Sequence, residues 1–168
     1  MRLLAALLLL ASASFSPVPA SASFSPVPAS AAPVPVRTAA DPVRTVDLTG
    51  SDDMKFNLTT IAARRGETLR IRFTSKGVIP KVAMAHNVVV LKPGTDVLML
   101  LKEGAPHRAT DFISPPMQNA IVAKTALAGP GETVQVSFTV PAKPGSYPFI
   151  CTFPGHYQAG MKGILVVK

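Results

Sequence analysis

The chain is poor in cysteine, tryptophan and acidic residues. Its 168 residues include one cysteine, Cys151, and no tryptophan. One cysteine excludes a disulfide within the chain, and it excludes an iron–sulfur cluster because such clusters need several thiolates. The 17 lysines and arginines exceed the 9 acidic residues, which gives a net charge of +8, but they form no basic run. We therefore expect no binding to nucleic acid and a surface that favours acidic partners.

Long apolar runs are also scarce. Leu3–Ala11 is apolar but too short to span a bilayer, and Arg2 precedes it while Ala-Ser-Ala sites follow it. This pattern predicts a signal peptide over residues 1–22, with cleavage as late as about residue 31. We expect a protein exported to the periplasm or another extracytoplasmic space, with no transmembrane segment. Thiols are oxidised there, so the lone cysteine is an intermolecular bridge, a reactive thiol, a metal ligand or a small buried apolar residue.

Proline, serine and alanine dominate the segment that follows the predicted signal. The nonapeptide SASFSPVPA occurs at residues 12–20 and again at 21–29. Such a composition lacks the apolar content to order itself, so residues 23–43 are predicted to be a linker. The chain of 168 residues is enough for one domain with a sizeable core but hardly for two, and we place that domain at residues 44–168.

Short alternating runs separated by glycine and proline predict an all-β domain. Apolar residues alternate with polar ones over residues 69–73 and 134–140. Other strand signals lie at Thr45–Leu48, Met54–Leu58, Val82–Leu91, Tyr147–Cys151 and Ile164–Val167. One segment, Asp96–Glu103, predicts a short helix capped by Thr95 or Asp96. Many short strands with one helical insert are typical of a β-sandwich.

The cysteine stands among other candidate metal ligands in the stretch ICTFPGHYQAGMKG. His156 follows Cys151 by five positions, and Met161 follows His156 by five more. A fourth candidate, His86, lies in the apolar run AMAHNVV, where alone it would more simply be a satisfied core histidine. Two imidazoles, a thiolate and a thioether suit copper, because a trigonal His₂Cys site with a weak axial Met accepts both of its oxidation states. Zinc is redox-inert and its usual ligands do not include thioether.

The motifs resemble those of the blue copper proteins, the cupredoxins, and of azurin and auracyanin in particular. CTFPGH followed by Met-Lys-Gly is similar to their ligand loop, and PKVAMAHNVVVL and VDLTGSDDMKFN are similar to two azurin strands. The resemblance covers residues 44–168 and implies a cupredoxin Greek-key β-sandwich with a short helical insert between strands. It implies one copper bound by His86, Cys151 and His156, with Met161 as a weak axial ligand.

The resemblance also implies supporting roles around these ligands. The carbonyl of Ala85, where azurins usually have glycine, is the candidate for a weak contact with copper from the other side. Asn87 would tie its strand to the cysteine loop, and the backbone N–H groups of Asn87 and Phe153 would donate to the sulfur of Cys151 and tune the potential.

Other features extend or depart from the family pattern. Four residues, 157–160, separate His156 from Met161, one more than in azurins, and this spacing is similar to that of auracyanin and plastocyanin. His107 has no motif around it and is predicted to be a solvated surface histidine. The resemblance implies an apolar docking patch around the exposed edge of His156, formed by Met54, Ile79, Met84, Phe153 and Pro154.

The function that the resemblance implies is electron transfer. The protein would be a small soluble monomer that carries single electrons between redox proteins through one type 1 copper, and it would not be an enzyme. A copper-delivery protein of the same fold is the alternative. An enzyme with a Cys151–His156 nucleophilic pair is a third reading, but it leaves His86 and Met161 without a role.

Overall fold

The computed structural model describes residues 42–168, and within them two sheets of strands carry most of the chain. The predicted signal peptide and linker lie outside this range, apart from residues 42 and 43, and stay predictions. The strands of the described part are β1 Arg44–Gly50, β2 Thr60–Ala63, β3 Thr68–Ser75, β4 Val89–Leu91, β5 Ile121–Lys124, β6 Thr133–Thr139, β7 Gly145–Ile150 and β8 Lys162–Val167. Two α-helices, α1 Val97–Gly104 and α2 His156–Ala159, and two 3₁₀ turns, Arg108–Thr110 and Pro115–Ala120, lie between them.

The two sheets have different sizes and mixed strand directions. One sheet has the order β1-β3-β6, and the other has the order β2-β8-β7-β4-β5. The pairs β1–β3 and β2–β8 are parallel, and the remaining pairs are antiparallel. The helical insert lies between β4 and β5. The predicted all-β architecture with a short helical insert is therefore confirmed.

The core lies between the sheets and follows the alternation of the sequence. Leu69, Ile71 and Phe73 of β3 are fully buried, while the residues between them point to the other face, as the period of a strand requires. Phe56 packs edge-on against Phe73, with ring centroids 5.9 Å apart, and lies 5.5 Å from Phe149. Burying side chains of this size supplies most of the stabilisation of such a domain.

A second apolar cluster lies on the outer face of the larger sheet, where the insert covers it. It contains Leu100 of α1 together with Val89, Leu91, Ile113 and Ile150. Because side chains from both faces of β4 are covered, all three of its residues are buried. The helix begins where it was predicted to begin, since the carboxylate of Asp96 accepts a hydrogen bond from the N–H of Met99 at 3.0 Å.

One predicted strand does not form, another is shorter than predicted, and two strands were not predicted. Met54–Leu58 forms no strand because Met54 turns the chain with φ 55°, and only Phe56 makes an isolated bridge, to Gly50. In the run Val82–Leu91 only β4 is a strand, and His86 makes an isolated bridge to Ala128. The strands β2 and β5 are each four residues long, too short to give a clear alternating signal.

The ends of the sandwich differ in what they contain. The strand β8 starts beside Met161 and runs to the chain end, where Pro42, Arg64, Arg65 and Lys168 line one open groove. The opposite end of the sandwich, at Met161, holds the predicted metal ligands.

Among residues 42–168, no helix has the length and apolar character needed to cross a bilayer.

Candidate metal centre

One closed loop carries three of the four predicted ligands. Cys151 follows the last residue of β7, and its N–H donates to the carbonyl of Met161 at 3.1 Å. The N–H of Met161 donates in turn to the carbonyl of His156 at 2.9 Å. Gly155, with φ 87°, begins the short helix α2 at His156, and Gly160, with φ 105°, ends it. The loop is therefore fixed at its base and at both ends of its helical turn.

The strand register brings His86 to this loop from a distant part of the chain. The strands β4 and β7 are antiparallel neighbours, with Val89 opposite Ile150. His86, just before β4, and Cys151, just after β7, are thereby placed at the same end of the sheet. Two backbone hydrogen bonds with Ala128, of 3.0 and 2.7 Å, hold His86 in place.

The two histidines and the cysteine form a compact buried cluster. Their candidate ligand atoms all lie within 4.8 Å of one another. Nδ1 of His86 is 3.1 Å from Nδ1 of His156, which is 3.5 Å from Sγ of Cys151. His156 is 2% exposed, and His86 and Cys151 are completely buried. The carbonyl oxygen of Ala85 lies 4.0 Å from the same sulfur.

Burial sets the protonation of these side chains. It raises the pKa of Cys151 to about 12, and the backbone N–H groups of Asn87 and Phe153, which donate to the sulfur, oppose this rise. Burial lowers the pKa of His156 to about 4, and the neighbouring His86 adds to the fall. Burial also lowers the pKa of His86, against the opposing effect of Asp52 and Asp53. At neutral pH the imidazoles are therefore uncharged and can bind a metal, which would displace the thiol proton.

The donor set fits copper. Two neutral imidazoles and one thiol converge in a dry pocket, which is the arrangement that type 1 copper sites use. Nε2 of His86 is buried and has no hydrogen-bond partner among residues 42–168. Polar groups left without a partner in a protein interior are uncommon and often mark a functional site.

Met161 is joined through its backbone to two residues of this cluster. It is fully buried, and its backbone is hydrogen-bonded to both Cys151 and His156. The methyl end of its side chain lies close to Gly50. A Cβ added at Gly50 would be 2.5 Å from Cε of Met161, which is too close for both to fit. Glycine at position 50 therefore leaves the space that the thioether occupies.

Asn87 joins the two segments that carry His86 and Cys151. Its side-chain oxygen accepts from the N–H of Thr152 at 2.9 Å, and its Nδ2 donates to the Thr152 hydroxyl at 2.8 Å. Both residues are buried. A paired side-chain and backbone contact of this kind restricts the motion of one ligand relative to the other.

His156 is less exposed than the predicted docking patch implied. The Phe153 ring lies 4.7 Å from the His156 ring, at an interplanar angle of 34°. The predicted exposed edge of His156 is wrong, because only 2% of that residue is exposed. Met54 and Met84 are half-buried, while Ile79 and Pro154 are exposed.

His107 takes no part in the cluster. It is half-buried rather than fully solvated, and its carbonyl accepts from the N–H groups of Thr110 and Phe112 at 3.1 and 2.9 Å. These contacts lie within the helical insert, away from the cluster of candidate ligands.

Three residues around the cluster were not predicted. Thr152 bonds to Asn87, and its hydroxyl also donates to the carbonyl of Asp111 at 2.6 Å. The carboxylate of Asp111 pairs with Lys124 at 2.5 Å. The position of Thr152 directly after Cys151 is a usable signal, but no motif marks Asp111 or Lys124.

Comparison with known proteins assigns the family and confirms the fold. The solved structure of auracyanin A, a "blue" copper protein from Chloroflexus aurantiacus, superposes with a TM-score of 0.65 at 32% identity, over 74% of this chain and 98% of that one. The azurin iso-2 structure from Methylomonas sp. strain J gives a TM-score of 0.66 at 30% identity, over 74% and 98%. The predicted cupredoxin sandwich is therefore confirmed.

Sequence comparison agrees with the structures. Auracyanin-B of Chloroflexus aurantiacus is 36% identical over 126 residues, which span 74% of this chain but only about half, 52%, of that protein. Azurin of Pseudomonas aeruginosa is 36% identical over 128 residues, 74% of this chain and 84% of azurin. The family model described as copper binding proteins, plastocyanin/azurin family, matches residues 44–168. The chain therefore belongs to the plastocyanin/azurin family of copper-binding proteins, the blue copper cupredoxins, whose members are generally electron carriers.

Proposed function

We propose that this protein is a single-electron carrier, and not an enzyme, whose copper is held by His86, Cys151 and His156 and weakly by Met161. The observation that supports this most directly is the buried His₂Cys cluster, with its ligand atoms within 4.8 Å of one another. Copper held there would supply reversible one-electron chemistry between its cuprous and cupric states. The carbonyl of Ala85, 4.0 Å from the sulfur, is proposed as a further weak contact.

The surrounding residues would keep the ligands in place while the charge of the site changes. The hydrogen bond from Cys151 to Met161 closes the loop, and Asn87 ties the loop to the strand of His86. The N–H groups of Asn87 and Phe153 would stabilise the thiolate. A site that rearranges little during oxidation and reduction exchanges electrons fast, because the ligands are already where both states need them.

Copper delivery is the weaker function for this site. A delivery protein must release its metal to a partner, which requires an accessible site. Here His86 and Cys151 are completely buried and His156 is 2% exposed.

Redox cycling of the exported protein tests the proposal. We expect addition of Cu(II) to produce an intense visible band that ascorbate removes and ferricyanide restores, cycle after cycle, without loss of copper to a Cu(I) chelator. A pale complex, or release of the metal on each reduction, would contradict it. The intact mass of the same protein shows whether cleavage falls between residue 22 and about residue 31, as proposed for an exported protein.

We also propose that redox partners dock on the apolar surface at the His156 end. Phe153 packs against His156, Pro154 follows Phe153 in the sequence and is exposed, and Ile79, on another loop, is the second exposed member of the predicted patch. The loop that carries Ile79 is held by the carboxylate of Asp52, which accepts from the N–H groups of Val78 and Ile79 at 2.8 and 3.3 Å. The excess of lysine and arginine, with a net charge of +8, would attract partners with an acidic surface.

A charge placed in this patch should slow electron exchange. We expect Ile79→Asp to lower the rate of electron transfer with a redox partner by about tenfold, because the carboxylate must be desolvated when the surfaces meet. The matched control is Ile164→Asp on β8, where the isoleucine is 44% exposed, against 36% for Ile79. Stopped-flow spectroscopy measures both rates. Equal rates in the two variants would exclude the patch as the docking surface.

A further inference from the structure

We infer that Asp111, fixed by Lys124, is a positioning residue that holds the hydrogen bonds around the Cys151 sulfur. Neither residue is in the cluster of candidate ligands: Asp111 lies in the helical insert, and Lys124 is the last residue of β5. The insert thus has a role beyond covering the outer face of the sheet. The inference rests on the proposed function only in its second test, which measures the copper-loaded protein.

A continuous chain of contacts leads from the ion pair to the ligands. Nζ of Lys124 donates to Oδ2 of Asp111 at 2.5 Å, and the N–H of Leu127 donates to Oδ1 at 3.3 Å. The carbonyl of Asp111 accepts from the Thr152 hydroxyl at 2.6 Å. That hydroxyl accepts from Nδ2 of Asn87 at 2.8 Å. The hydroxyl has a single proton and two acceptors within reach, the carbonyl of Asp111 at 2.6 Å and Oδ1 of Asn87 at 3.2 Å, and the shorter contact assigns the proton to Asp111.

The end of this chain is the pair of donors to the sulfur. The backbone N–H groups of Asn87 and Phe153 are the groups that oppose the rise in the pKa of Cys151, as donors to its sulfur would, and Thr152 lies between Cys151 and Phe153 in the sequence. A shift of Thr152 therefore moves Phe153 directly and Asn87 through its side chain. The carbonyl of Asp111 holds Thr152 from the side of the insert, in addition to the contacts that Asn87 makes with the same residue.

The carbonyl of Asp111 is directed by an unusual backbone. Asp111 and Phe112 both have left-handed conformations, with φ 59° and 58°. Aspartate tolerates this region, but for phenylalanine it is rare, so the surroundings must hold the pair in place. The structure provides such support on both sides: a Cβ at Gly104 would lie 2.0 Å from the Phe112 carbonyl oxygen, and the Phe112 ring packs edge-on against Phe153 at 5.2 Å.

The ion pair between Lys124 and Asp111 is partly buried, so it can hold the carboxylate of Asp111 in a fixed position. The side chains of Lys124 and Asp111 are 35% and 21% exposed, whereas those of the pair Arg72–Asp47 are 53% and 59% exposed. The pair Arg72–Asp47 joins β3 to β1 in the other sheet and has no contact with the chain of hydrogen bonds. It provides a control of the same chemistry at a site where no effect is expected.

The first test uses the full exported protein without copper. We expect Asp111→Gly and Lys124→Met each to raise the rate at which Cys151 reacts with a disulfide reagent by about tenfold, because the loop then opens more often. Glycine adopts the left-handed conformation without strain but also frees the backbone, so Lys124→Met, which leaves residue 111 unchanged, separates loss of the ion pair from added flexibility. Arg72→Met should leave the rate unchanged. Rates within twofold of the parent protein in both variants would overturn the inference, and this result would not depend on whether the protein binds copper.

The second test uses the reduction potential of the copper-loaded protein and separates positioning from charge. Acting only through its charge, Asp111→Gly would raise the potential and Lys124→Met would lower it. Loosened donors at the sulfur favour the oxidised site, so positioning lowers the potential in both variants. We expect shifts of the same sign, with Lys124→Arg close to the parent. Shifts of opposite sign would overturn the inference, whereas failure of the parent protein to form the coloured complex would overturn the proposed function.

Discussion

The variant Cys151→Ser is expected to lose the intense visible absorption of the copper-loaded protein completely. The band arises from charge transfer between a thiolate and copper, and the described part of the chain contains no other cysteine. A serine hydroxyl stays protonated at neutral pH and is a poor ligand for either oxidation state of copper. Titration of both proteins with Cu(II), followed by visible spectroscopy, measures the effect.

The control for this variant is the histidine outside the cluster. His107→Ala should keep the full intensity of the band, because His107 is not among the residues that converge on the site. A coloured Cys151→Ser protein would show that copper is bound elsewhere. A colourless His107→Ala protein would show that the ligand set is wrong.

Removal of copper is expected to lower the free energy of unfolding by several kcal/mol. A metal that binds the folded state alone stabilises it by about 4 kcal/mol when its free concentration is a thousand times the dissociation constant. Here the ligands meet only in the folded chain, since His86 and Cys151 are brought together by the pairing of β4 with β7. Urea unfolding of the protein with and without copper measures the difference.

Comparison with a ligand variant makes this test specific. In Cys151→Ser most of the stabilisation by copper should disappear, because the strongest ligand is absent, while the variant without metal should still unfold cooperatively. The same midpoint with and without copper in the parent protein would contradict the expectation. An equal gain in the Cys151→Ser variant would mean that the metal stabilises the fold from another site.

The sequence predicted the strands in which apolar and polar residues alternate clearly. The alternation in β3 and β6 marks the inner faces of those strands because burial on one face repeats every second residue. The strand β2 could not be predicted in this way, since its four residues gain their place by parallel pairing with β8. The alternation at Met54–Leu58 was misleading because a left-handed residue at position 54 breaks it.

In the candidate site, too, the arrangement within one short loop was predictable from the sequence, whereas contacts between distant segments were not. The spacing of Cys151, His156 and Met161 is visible in one short loop, and their backbone hydrogen bonds close that loop. The carbonyl of Asp111 reaches Thr152 across 41 positions of the sequence, through two left-handed residues that no motif announces. Contacts of this kind depend on the packing of the whole insert, so only the folded structure reveals them.

The first described residue and the last residue lie at the same end of the domain, and this has a consequence for attaching a label to it. Residues Pro42 and Lys168 border the same groove, and the six residues of β8 separate that end from Met161. At about 3.3 Å per residue the strand covers roughly 20 Å. A label attached directly at Pro42 or Lys168 is therefore at the end of the domain away from Met161, so it can be placed there without contacting the candidate metal centre.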